Sequence, residues 1–68
     1  MKTIDARGLS CPEPVIRTKN ALALGEKAYT VMVDNVTARE NVSRFAMHQG
    51  YQVSCKEDGE DFILTLEK

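Results

Sequence analysis

Histidine occurs once in this 68-residue chain, and cysteine twice, at Cys11 and Cys55. No C-x-x-C pair and no Cys/His zinc spacing can be drawn from so few ligands, so a metal site is not expected. The same scarcity excludes a vicinal-dithiol redox centre, and a structural disulfide does not suit a reducing compartment. Aromatic residues amount to two Tyr and two Phe, too few for a base-stacking platform. A net charge of −1 lacks the basic excess that nonspecific nucleic-acid or anionic-membrane binding needs. No apolar run reaches bilayer length, and Met1-Lys2-Thr3-Ile4-Asp5 passes directly into a strand-like pattern, so no signal peptide is expected. A cytoplasmic protein is the default expectation.

What remains is room for one domain over residues 1–68. A chain of this size buries only about 60% of its extended surface, which leaves no space for a deep closed site. Residues 2–6 alternate loosely, with Ile4 and Ala6 on one side, and read as a strand. Arg7-Gly8-Leu9-Ser10 is a turn in which Gly8 is free to take positive φ. Pro12 to Leu24 has helical spacing, with Val15, Thr18, Ala21 and Leu22 on one face and Gly25 at the C-cap. Lys27 to Val33 reads as a strand that turns Tyr29, Val31 and Val33 to one side. Thr37-Ala38-Arg39-Glu40 matches a capping box that opens a second helix ending at Gly50. Its apolar stripe is expected to comprise Ala38, Val42, Phe45, Ala46 and Gln49. Tyr51 to Glu57 alternates, Asp58-Gly59 signals a hairpin, and a last strand covers Phe62 to Leu66. The order β-α-β-α-β-β predicts an α/β (α+β) two-layer sandwich, a four-stranded mixed sheet carrying both helices on one face.

Chemistry concentrates at Cys11-Pro12-Glu13-Pro14. Thiolate is the nucleophilic form of cysteine, and a helix start favours it through free N–H groups and the positive end of the dipole. The prolines remove donors that would be unpaired there and fix the local backbone. Glu13 helps the helix dipole but opposes a nearby thiolate, which Arg7 or Arg39 would offset if the fold brought either close. Cys55 shares the strand phase of Tyr51 and Val53, so a core position is expected for it. Asp34-Asn35 is expected to shape the strand-to-helix turn. Arg39, Arg44 and His48 are expected on the solvated side of the second helix, where the arginines are candidates for docking a partner. Leu24 and Met47 are expected to be exposed.

The string Asp5-Ala6-Arg7-Gly8-Leu9-Ser10-Cys11-Pro12-Glu13-Pro14-Val15, followed by Asp34-Asn35, Arg39-Glu40 and a C-terminal hairpin, resembles the TusA/SirA/YedF family of small sulfur-transfer proteins. The resemblance spans nearly the whole chain, and its wording is closest to the N-terminal domain of YedF-like proteins. It implies a fold like the C-terminal domain of bacterial initiation factor three. It also implies a sulfur carrier, or sulfurtransferase, whose Cys11 accepts persulfide sulfur from a donor such as a cysteine desulfurase. The sulfur then passes to an acceptor in tRNA thiolation or other sulfur or selenium metabolism. Cys11 corresponds to the family's persulfide cysteine and Pro12 and Pro14 to its helix-shaping prolines. Glu13 completes the motif, and Arg7, Asp34 and Arg39 are local support. No cofactor is implied. The competing reading is a nonenzymatic protein- or RNA-binding regulatory module, with direct nucleic-acid binding disfavoured by charge and aromatic content.

Overall fold

The computed structural model describes residues 2–9 and 13–68. Its elements are β1 (Lys2–Asp5), α1 (Glu13–Leu22), β2 (Ala28–Val33), α2 (Val36–His48), β3 (Gln52–Asp58) and β4 (Asp61–Glu67). The strands form one sheet in the order β1-β2-β4-β3. β1 and β2 are parallel, while β4 runs antiparallel to both its neighbours, so β2 and β3 point the same way. Each helix therefore crosses over between two like-directed strands, β1 to β2 and β2 to β3, and both crossovers advance across the sheet in one direction. Crossovers of the favoured right hand that advance in one direction place their helices on the same face. The two-layer α+β sandwich read from the sequence is the fold observed.

Alternation along β2 turns Tyr29, Val31 and Val33 into the interlayer core, opposite Leu66, Leu64 and Phe62 of β4. Every one of these except the partly buried Phe62 is fully enclosed. From above, α1 contributes Pro14 and Thr18, and α2 contributes Ala38, Val42 and Ala46. Thr18 brings a hydroxyl into this layer, and it donates to the Pro14 carbonyl at 2.9 Å, so no polar atom is stranded. At the far end of the core Tyr29 and Tyr51 meet edge to face, 5.9 Å between centroids. Their hydroxyls donate to the carbonyls of Ala21 and Glu26, which fastens the chain leaving α1.

The end of α2 shows why Gly50 stands where it does. The amide of Gly50 donates to the Met47 carbonyl, and that of Tyr51 to the Ala46 carbonyl, both at 3.0 Å. This reverse turn is a Schellman closure, which requires a left-handed residue, and Gly50 supplies φ +90°.

Three local expectations are corrected. The cap of α2 is Asn35, two residues before Thr37, with its side-chain oxygen accepting the Ala38 amide at 2.7 Å. Asn at an N-cap competes as well as Thr, so the Thr37 box was not the only start available. Phe45 is half-buried and Gln49 exposed, because the enclosed line of α2 runs Ala38, Val42, Ala46 and Phe45 lies one residue, about 100°, round the helix. Cys55 is exposed, although it pairs with Leu64 and so shares the helix side of the sheet. β3 is an edge strand, and of its residues only Val53 is partly covered. Leu24, Met47, His48 and Arg44 are exposed as expected.

Leu64 lies at the centre of this core, whereas Phe45 is on its flank. Leu64→Ala is expected to cost about 2–5 kcal/mol in urea unfolding. Phe45→Ala should cost about 1 kcal/mol, nearer the average substitution. Equal losses in the two variants would show that the phase of α2 is different.

Candidate functional site

Both helices start at the same end of the sheet, beyond the C-terminal ends of β1 and β2. The β1–α1 loop and the β2–α2 loop therefore lie side by side, next to the start of β4. Cys11 and Pro12 fall between the described residues Leu9 and Glu13, and their own placement lies outside the described residues. What can be built is the frame on either side of them.

On the upstream side the β1–β2 ladder extends one residue past Asp5, with the Ala6 amide donating to the Met32 carbonyl at 2.8 Å. Ala6 is buried, which turns Arg7 to the opposite face of the sheet, beside Asp5. Arg7 grips that carboxylate with two parallel bonds, Nε to Oδ1 and Nη2 to Oδ2, each 2.9 Å. Its Nη1 reaches Asp61 of β4 at 3.1 Å. One guanidinium thus ties the loop to two strands. Gly8 follows at φ +76°, as expected of the turn, and its amide donates to Asp34 Oδ2 at 2.7 Å. The other oxygen of Asp34 accepts from Asn35 Nδ2 at 3.1 Å.

On the downstream side α1 opens with Glu13, exposed and favourably placed for the helix dipole, followed by the buried Pro14. Beside it a shallow groove of about 540 Å³ runs between β1 and α1, lined by Ile4, Asp5, Glu13, Ile16, Arg17 and Asn20. Ile16 leaves 43% of its surface to solvent there. Arg39, in the first turns of α2, does not point freely into water. Its guanidinium lies 4.9 Å from the centroid of the Phe62 ring, with Glu40 at 3.9 Å.

The sequence-derived support residues therefore separate into two groups. Arg7 and Asp34 both hold the loop that leads to Cys11, Arg7 through side chains and Asp34 through the backbone. The charges of Arg7 and Arg39 are engaged by Asp5, Asp61, Glu40 and Phe62. Asp5 and Asp61 as partners of Arg7 were both missed by sequence reasoning: Arg7 was assigned to the turn, whereas it continues the face of Asp5, and only the β4 register reveals Asp61. Among the described residues no cluster of three or more His, Cys, Asp or Glu could hold a metal ion.

The frame joins the motif to a recognisable family. The sequence profile described as sulfurtransferase TusA matches residues 2–68. The chain belongs to the TusA family. It is 41% identical to a Methanocaldococcus jannaschii protein provisionally named as a sulfur carrier, over all of this chain and 95% of that one. The crystal structure of a SirA-like protein from Desulfitobacterium hafniense superposes with a TM-score of 0.88 at 45% identity, covering 98% of this chain and 96% of that one. TusA-family membership makes the chain one of the sulfur carriers. None of its described helices is long and apolar enough to cross a membrane.

The Arg7 grip sets a testable pH response. Hydrogen bonds from the Arg7 side chain, then from its backbone, lower the Asp5 carboxyl from 3.8 to about 2. A depressed carboxyl contributes its stabilisation above the unfolded value near 3.8 and loses it as pH falls toward 2. Both partners are well exposed, so the effect belongs to loop placement more than to global stability. In an NMR titration the Asp5 carboxyl should show a midpoint near 2, returning toward 3.8 in Arg7→Gln. A midpoint indifferent to that substitution would remove Arg7 from the account.

Proposed function

We propose that the chain is a persulfide relay in which Cys11 carries the sulfur. The Cys11 thiolate attacks the outer sulfur of a donor persulfide. A new S–S bond forms, the donor's S–S bond breaks, and the donor leaves as thiolate. Cys11 then holds Cys-S-SH until an acceptor nucleophile attacks the same outer sulfur and releases the Cys11 thiolate. Sulfur moves with no net oxidation of the carrier, so no metal, cofactor or resident base is required. The observation that carries this reading is the family match across residues 2–68 with the Cys11-Pro12-Glu13-Pro14 motif inside it.

A cysteine desulfurase suits the donor's part, because it presents a persulfide on a protein cysteine. The acceptor belongs to tRNA thiolation or another branch of sulfur or selenium metabolism. Such chemistry fits the reducing cytoplasm. The groove beside α1 and the exposed Ile16 offer partners a surface adjoining Glu13, and on this reading Pro12, Glu13 and Pro14 serve the presentation of the sulfur. The RNA-binding alternative loses ground to the aromatic side chains themselves. Tyr29 and Tyr51 are buried, Phe45 and Phe62 are half-buried, and Arg39 lies over Phe62.

Cys55 is exposed, so burial does not remove it as a competing thiol. Loading does. Incubation with a desulfurase and cysteine should add the mass of one sulfur atom to wild type and to Cys55→Ser, and none to Cys11→Ser. Sulfur retained by Cys11→Ser, or lost from Cys55→Ser, would sink the assignment.

A further inference from the structure

We propose that Asp34 is a positioning residue for sulfur transfer, acting through the backbone of Gly8 on the loop that presents Cys11. The inference rests on the relay reading above and adds to it the residue that sets the carrier's geometry.

The contact joins two loops 26 residues apart in sequence. Asp34 Oδ2 accepts the Gly8 amide at 2.7 Å, a charge-assisted bond at the short end of the N–H···O range. Gly8 stands three residues before Cys11 in left-handed geometry, φ +76°. Its amide is therefore aimed by a conformation that few other residues hold without strain. The carboxylate is itself fixed, since Oδ1 accepts from Asn35 Nδ2 at 3.1 Å. Asn35 in turn caps α2 by accepting the Ala38 amide at 2.7 Å. An unbroken chain of hydrogen bonds thus runs from the body of α2 to the motif loop.

On the other flank Arg7, the residue before Gly8, donates to Asp5 and Asp61. Arg7 fixes where the loop leaves β1, and Asp34 fixes how the next peptide is turned. Attack on sulfur demands alignment of the incoming and leaving sulfurs, so freedom at Gly8 is expected to lower the fraction of productive encounters.

A carboxylate here also places negative charge near the motif, which by itself would oppose a thiolate. The positioning and electrostatic roles make opposite predictions for Asp34→Asn. The amide oxygen of Asn can still accept the Gly8 N–H, while the charge is gone. The test uses full-length protein in a Cys55→Ser background, with a cysteine desulfurase as donor and a small thiol as acceptor. Gly8 amide exchange is followed by NMR, and kcat and KM by turnover.

In Asp34→Ala the Gly8 amide should exchange at least about tenfold faster and kcat should fall about tenfold, with KM within about twofold. Asp34→Asn should keep both Gly8 protection and kcat within about threefold of wild type. Full kcat in Asp34→Ala despite lost Gly8 protection would overturn the inference and leave the relay standing. An Asp34→Asn protein that keeps Gly8 protection but changes kcat about tenfold, in either direction, would overturn it in favour of charge. A wild type that never accepts sulfur would overturn the relay and this inference together.

Discussion

The antiparallel seam between β2 and β4 is the contact on which the remainder of the molecule depends. From Ala28 opposite Glu67 to Val33 opposite Phe62 the two strands are paired throughout. Their shared face, Tyr29, Val31, Val33, Leu64 and Leu66, supplies half of the buried hydrophobic core. Each strand then brings in one more: β1 joins β2, and β3 joins β4. Neither outer strand has comparable burial of its own, and β1 is only four residues long. Were the seam to slip by one residue, the three of these side chains on β2 or the two on β4 would turn to water. The register that builds the core is also the register that delivers Asp61 to Arg7, so stability and site geometry rest on the same pairing.

In a domain this small the chemistry cannot be enclosed, because enclosure needs more covering structure than one sheet and two short helices supply. Order at the motif has to come from polar contacts at the surface. Those contacts are weak one at a time, since ion pairs with half-exposed ends contribute little stability. Their value lies in direction. Arg7 is bidentate on Asp5 and fixed by Asp61, and the Gly8 amide is held by a carboxylate that α2 already braces. Two strands and a helix start, each rigid through the core, are thereby made to hold one loop.

The parts of this arrangement that were legible in the sequence share a physical property: they are periodic or local. Alternation gave β2 its buried Tyr29, Val31 and Val33, helical spacing gave Val42 and Ala46, and glycine at Gly8 and Gly50 marked left-handed turns. Failures came where the answer depended on how far another element extends. Cys55 has the phase of a core residue, yet it lies on an edge strand whose outer part the helices leave uncovered. Phe45 has the hydrophobicity of a core residue, but the smaller Ala46 beside it occupies the line of contact. Asn35 and Thr37 were both chemically competent caps, and α2 opens from the earlier one, whose side chain accepts the Ala38 amide. The Gly8–Asp34 contact was illegible for a stronger reason. No local pattern connects an amide to a carboxylate 26 residues away; only the parallel pairing of β1 and β2 brings their two loops together.

A carrier must release sulfur as readily as it accepts it, and this bears on why the frame around the motif is so acidic. Intrinsic nucleophilicity falls as a thiol's pKa falls, and a thiol of low pKa is the better leaving group. A site that stabilised the thiolate without limit would give up its cargo easily but would collect it slowly. A helix start such as the one at Glu13 favours an anion beside it through its dipole, while Glu13, Asp34 and Asp61 add negative charge to the frame and Arg7 is engaged by carboxylates. On the relay proposed for Cys11, opposed influences of this kind suit a thiol that must both take and give up sulfur. The same proposal lets one carboxylate act through a hydrogen bond despite its charge: the geometry it enforces is specific, whereas charge at an exposed site is screened.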